Sequence, residues 1–139
     1  SNGPGDPSAA PAVVSELKKI IGKLPIMGIC MGNQLLSLAL GAKTEKMKFG
    51  HRGIHHPVNE YCPEGKVLRT WITSQNHGFV VDESSLPDNV RVLFRHADDG
   101  SVEGIESEEL RLFSAQFHPE AAPGTLDCYP LFERFLERL

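Results

Sequence analysis

Two glycines flank one cysteine at two-residue spacing, Gly28-Ile29-Cys30-Met31-Gly32, directly after the apolar run at 25–29. An apolar run of that length reads as a buried strand of a parallel sheet, and residues 34–40, closed by Gly41, read as a helix. A strand that turns straight into a helix needs a sharp backbone, and small neighbours let the two elements approach. G-x-C-x-G is therefore the thiol counterpart of the G-x-S-x-G nucleophile elbow. At the start of the next helix, aligned peptide dipoles and free N–H groups favour a thiolate. The N–H of Met31 is placed there to donate to an oxyanion. A cysteine in an arbitrary setting is more often a small buried hydrophobe; the glycines and the strand–helix context set Cys30 apart. Cys62, beside Pro63, and Cys128 lack that setting and read as structural.

The rest of the chain supplies one α/β domain around this turn. SNGPGDP opens the sequence as a loop rich in turn chemistry. Val14, Leu17, Ile20 and Ile21 recur at helical spacing from Val13, with Gly22 as the C-cap. The segment 43–57 mixes Lys, His and Gly and reads as an extended loop or hairpin. Strands follow at 67–74, 79–81, 90–94, 102–105 and 110–117, parted by turns such as Pro87-Asp88-Asn89 and Asp98-Asp99-Gly100. Leu131, Phe132, Phe135, Leu136 and Leu139 close the domain as a helix.

At 139 residues, with 40% hydrophobic and 23% charged, the chain can bury a core and is not a disordered segment. A net charge of −4 argues against a nucleic-acid binder. No apolar run nears the roughly 18–20 residues that cross a bilayer, and no signal peptide opens the sequence. Three cysteines without regular spacing point to free thiols in a reducing, cytoplasmic setting.

A cysteine nucleophile needs an imidazole base and a group that orients it. Of six histidines, His118 ends the strand Phe113-Ser114-Ala115-Gln116-Phe117 and precedes Pro119-Glu120. Residues two apart on extended chain share a side, so Glu120 can hold the His118 ring. His51, His55 and His56 match no standard zinc spacing, and no neighbouring carboxylate or thiol completes a site, so no metal is expected. His77, in Gln75-Asn76-His77-Gly78-Phe79, reads as a turn between two strands that shapes a pocket.

GICMGNQ, TSQNHGF and QFHPE, in that order after SNGPGDP, resemble the class I (triad) glutamine amidotransferases. GAKTEKMKFGHRG, HHPV, SQNHGFVVD and PEAAPG with Asp127 are more similar to the small subunit, or glutaminase domain, of carbamoyl-phosphate synthetase than to the anthranilate or guanylate synthase branches. The resemblance implies a flavodoxin-like α/β sheet flanked by helices. It implies a catalytic triad of Cys30, His118 and Glu120, with the N–H groups of Met31 and Gly3 stabilising the oxyanion. Gly5, Gln34, Asn76, Gly78 and Phe79 match positions that bind L-glutamine. No cofactor is implied in this domain; ATP and magnesium belong to the partner, a synthetase subunit or fused synthetase domain that makes carbamoyl phosphate for arginine or pyrimidine synthesis.

Three features depart from that pattern. Asn33, ahead of the helix proper, stands where the family usually has His; it keeps a donor but cannot titrate. Gly53-Ile54-His55-His56 replaces a loop that tends to carry Gly and Asn before the final His. The family's domains have strands before SNGPGDP and, in this branch, a preceding domain. The resemblance thus implies that residues 1–139 are the C-terminal part of an amidotransferase domain lacking its N-terminal strands. The competing readings are a non-catalytic docking or regulatory module and a related hydrolase such as a cysteine peptidase. An intact Cys30 opposes the former, and QNHGF with FGHRG opposes the latter.

Overall fold

The computed structural model describes Gly3, residues 5–121 and residues 124–139. Ser1, Asn2 and Pro4 of the opening loop, and Ala122 and Pro123 of PEAAPG, lie outside the described residues. The chain runs α1 (Pro11–Ile20), β1 (Ile26–Ile29), α2 (Met31–Ala39), β2 (Lys43–Tyr61), β3 (Val67–Asp82), β4 (Arg91–His96), β5 (Val102–Ser107), β6 (Leu112–Ala115) and α3 (Pro130–Leu136). One six-stranded sheet, ordered β1-β6-β5-β4-β2-β3, carries the helices.

Among the described residues only β1 and β6 pair in parallel, in register from Ile26↔Leu112 to Ile29↔Ala115. The other ladders are antiparallel. The expectation of a parallel strand before Cys30 therefore holds for that one pairing. Among the described residues β1 is an edge strand, and only its Gly28 is fully buried. Both early helices end as the sequence indicates, with Gly22 and Gly41 at positive φ. Helix α2 begins at Met31, three residues earlier than its apolar spacing suggests, because Cys30 itself is the N-cap. Asn33 is accordingly inside the helix, not ahead of it.

The middle of the chain corrects the sequence reading most. Residues 43–57 are strand rather than loop, and 67–74 and 79–81 join into one continuous strand. His77 lies in that strand opposite His51, with Asn76 opposite Arg52. The polar run 74–78 broke the apolar alternation that marks a strand, yet backbone pairing with β2 carries the ladder through it. Bulges between Lys46/His51 and Gly53/His56 bend the hairpin over the sheet. Gly50, at φ 71°, lies at the first; a Cβ there would sit 2.4 Å from the His77 carbonyl oxygen, so no larger residue fits.

The main core is formed by Val58, Trp71, Phe94, Phe113, Phe117 and Leu131 with their neighbours. Val81, Val90, Val102 and Ile105 form a second cluster. Helix α2 lies against the sheet with Asn33, Gln34, Leu36 and Ser37 buried, whereas α1 buries no residue fully. Polar side chains thus enter the interior beneath Cys30.

Candidate active site

Cys30 adopts φ 53° and ψ −108°, a backbone conformation that an L-residue seldom takes. Its N–H donates to the Ala115 carbonyl at 2.8 Å, extending the β1–β6 ladder, and its carbonyl accepts from the Asn33 N–H at 3.0 Å, opening α2. Ladder and helix hold the residue in this strained turn. Gly28 lets them meet: a Cβ there would stand 2.7 Å from both the Gly32 carbonyl oxygen and Leu36 Cδ1. The sulfur is 97% shielded from solvent with its residue (3% exposed). As the first helical residue, Met31 has no carbonyl one turn back for its N–H. Gly3 approaches the same place, its α-carbon so near that a Cβ would lie 3.2 Å from the Met31 sulfur.

His118 lies three residues past the end of β6, its N–H bonded to the Ser74 carbonyl of β3 at 2.9 Å. Its Nδ1 meets Glu120 Oε1 at 2.9 Å. The contact is not made across extended chain, as the spacing suggested. Residues 118–121 form a turn, with the Ala121 N–H on the His118 carbonyl at 3.2 Å and Pro119 at its second position. With Nδ1 on Glu120, Nε2 is left for the sulfur. A hydrogen bond with Cys30 is the main influence on the ring; burial opposes it, Glu120 adds to it, and the imidazole is pushed up to about 9.

A cavity of about 440 Å³ opens onto this pair, lined by Gly3, Gly5, Cys30, Gln34, Arg52, Asn76, His77, Gly78, Phe79 and His118. Every residue assigned to binding from the sequence lines it except Met31, which stands beside Gly3. Gln34 Nε2 donates to the Phe79 carbonyl at 3.0 Å, tying α2 to the pocket wall. Two contributors went unassigned. Arg52 enters the cavity because β2 pairs with β3 opposite Asn76. Gln116, fully buried, places Nε2 3.8 Å from the Cys30 sulfur. Its presence inside QFHPE was the one sequence signal available.

The histidines of β2 are nearer to carboxylates than their spacing suggested. His51 Nδ1 lies 3.0 Å from Glu103 and its Nε2 2.8 Å from Asp99. Burial opposes its protonation, but these two bonds prevail and raise it to about 8. At Asp99, burial is likewise outweighed by the Ser101 N–H and hydroxyl and by His51, which hold it near 2. Glu103, wholly buried, is kept ionised against its desolvation by His51 and His77. His51, His77 and Glu103 cluster closely enough to surround a cation, as do His51, His96 and Asp99. In the structure His51 bonds to Glu103, Asp99 and His77, whereas His96 Nδ1 stays 3.7 Å from Asp99 and its Nε2 bonds to His56. His55 is exposed and joins neither group.

A strained cysteine at a strand–helix elbow thus has a His–Glu pair and a cavity beside it. The model of the class I glutamine amidotransferase family matches residues 1–138, and the chain belongs to that family. It is 53% identical over 137 residues to the carbamoyl phosphate synthase small chain of Methanocaldococcus jannaschii, covering 99% of this chain and 38% of that one. It is 50% identical to the corresponding small chain of Clostridium perfringens, with the same coverage of both. The chain thus spans about 38% of the length of these relatives. Among solved structures, a glutamine amidotransferase from Thermotoga maritima superposes with TM-score 0.70 at 22% identity, over 99% of this chain and 57% of that one. Among the described residues no helix is long and apolar enough to cross a membrane.

Proposed function

We propose that this chain hydrolyses L-glutamine to glutamate and ammonia and delivers the ammonia to a carbamoyl-phosphate-forming synthetase, as a separate large subunit or a fused domain, in the cytoplasm. The observation that carries the reading is the Cys30 elbow beside the His118–Glu120 pair, both opening onto a cavity lined by the residues matched to glutamine binding. The Cys30 thiolate adds to the side-chain amide carbon of glutamine, and the amide oxygen becomes an oxyanion. The N–H groups of Met31 and Gly3 stabilise it. The C–N bond then breaks, the nitrogen leaving as ammonia with the proton held on His118. Water attacks the γ-glutamyl thioester, His118 takes its proton, and glutamate leaves as the thiolate returns. Gly5, Gln34, Asn76, Gly78 and Phe79 position the amino acid. ATP and magnesium act on the synthetase, where the similarity to small chains points for the partner.

Glutamate release by the purified protein and by its Cys30→Ala variant tests this. The parent is expected to turn over glutamine and the variant to lose essentially all activity. Equal rates would remove Cys30 as nucleophile. Glutamine binding without any turnover would instead favour a docking module.

A further inference from the structure

The floor beneath Cys30 is a chain of buried polar groups whose donor directions are set by the backbone carbonyl at one end. At one end the Ile105 N–H donates to Ser114 Oγ at 3.1 Å, and the hydroxyl proton goes to the nearer of two acceptors, Asn33 Oδ1 at 2.8 Å rather than the Ile105 carbonyl at 3.4 Å. Asn33 must then present Nδ2 to Gln116 Oε1, at 2.9 Å. At the other end the Phe79 carbonyl, which also faces His77 Nδ1 at 2.9 Å, can only accept; that sets the Gln34 amide, and Gln34 Nε2 also meets Gln116 Oε1, at 3.1 Å. The Phe79 carbonyl cannot flip, so the Gln34 contact turns the Gln116 oxygen away from the active site, and the short Ser114–Asn33 bond agrees with it. Only its Nε2 remains to face the sulfur, at 3.8 Å. Asn33, Ser114 and Gln116 are all fully buried, so water does not compete for these groups.

Resting on the glutaminase reading of this site, we infer that Gln116 is a catalytic residue that donates its side-chain N–H to the Cys30 sulfur and stabilises it as an anion. Asn33 and Gln34 are positioning residues that aim the amide. A donor to an ionised acceptor gains most when the acceptor carries the charge. The contact therefore favours the state of Cys30 that attacks and the state to which it returns when the thioester is hydrolysed. It approaches the sulfur from the protein interior, on a path separate from that of His118. It also gives Asn33 a function that needs no titratable ring: a side chain with one donor and one acceptor relays the fixed polarity from Ser114 to Gln116.

The test is the pH profile of Cys30 alkylation by iodoacetamide, which needs no glutamine. Gln116→Glu keeps the shape and the acceptor but puts an oxygen against the sulfur; Gln116→Met removes the donor without adding charge. In both, the pH of half-maximal alkylation should rise by about one unit, equivalent to ~10-fold slower labelling at pH values well below both midpoints. The kcat for glutamine should fall in parallel while KM stays within about twofold. In the unaltered protein, the Gln116 side-chain amide resonance should titrate with the alkylation midpoint, a reading that requires no variant to fold. A profile superimposable on the parent's in folded variants, or an amide resonance flat across the midpoint, overturns the assignment. If the profiles move while the parent releases no glutamate, the glutaminase reading fails and the role of Gln116 stands.

Discussion

Replacing Gly28 by Ala tests whether the elbow depends on backbone contact between strand and helix. Gly28 does not sit at positive φ, so alanine meets no conformational penalty and any cost is steric. The added Cβ would lie 2.7 Å from the Gly32 carbonyl oxygen and 2.7 Å from Leu36 Cδ1. Ordinary contact begins near 3.4 Å, so α2 must retreat by the difference, 3.4 − 2.7 = 0.7 Å. Overpacking of this kind costs about 1–3 kcal/mol. Alanine recovers about 0.4–1 kcal/mol by restricting the unfolded chain, which leaves a net loss of roughly 0–2.6 kcal/mol. Cys30 lies midway between the two glycines, so its sulfur moves with the helix. A 1 Å misplacement can cost about 100-fold in rate, so a fall in kcat of at least about 10-fold is expected. Denaturant melts and glutamate release measure the two effects. Leu36→Val in the same chain should restore little, because the backbone oxygen still blocks the methyl. Parental stability with kcat within twofold would refute the steric argument.

Three further outcomes follow from the site. At residue 30 the usual ranking of alanine above glycine should reverse, because glycine relieves a strain of about 1–3 kcal/mol that alanine retains; a melt with Cys30→Gly below Cys30→Ala would refute it. The folded state raises His51 to about 8 from an ordinary 6.5. Its stabilisation is therefore complete below pH 6.5 and lost as pH climbs through 8; His51→Gln should flatten that decline in unfolding free energy. Burial, then the nearby Asp127, push the Cys128 thiol up to about 12. Limited iodoacetamide at pH 7.5 should thus modify Cys30 and leave Cys128 intact in a peptide map; modified Cys128 in folded protein would contradict its burial.

The elbow was legible in the sequence because its constraints are local: two glycines, an apolar run and a helical pattern all fall within residues 25–40. His118 and Glu120 were legible for the same reason, although the contact forms in a turn and not on extended chain. What stayed hidden was long-range. Arg52 reaches the cavity through strand pairing with Asn76, and His51 meets Glu103 across 52 residues of sequence. Such pairings leave no periodic trace. The polar stretch around His77 read as a turn because a strand there must bury Gln75 and His77. That is tolerable only because Thr73, Glu103 and the Phe79 carbonyl bond them, which a single segment cannot reveal.

The site has two halves that should fail differently. The elbow and its polar floor fix the sulfur, whereas the β2–β3 hairpin supplies the wall formed by Arg52 and residues 76–79. Gly50 holds that wall together. Alanine there must adopt φ 71° with its Cβ 2.4 Å from the His77 carbonyl oxygen. The left-handed backbone alone costs about 1–2 kcal/mol, and the clash drives β2 away from β3 beside the cavity. The backbone groups of Asn76, Gly78 and Phe79 lose their spacing, while Cys30, held by Ala115 and Asn33, keeps its place. Gly50→Ala should therefore raise KM for glutamine by about 10-fold or more with a smaller change in kcat. Gly28→Ala should do the reverse. Measuring both constants for both variants separates wall from floor; a Gly50→Ala enzyme that loses kcat at unchanged KM would show that the hairpin positions the nucleophile after all.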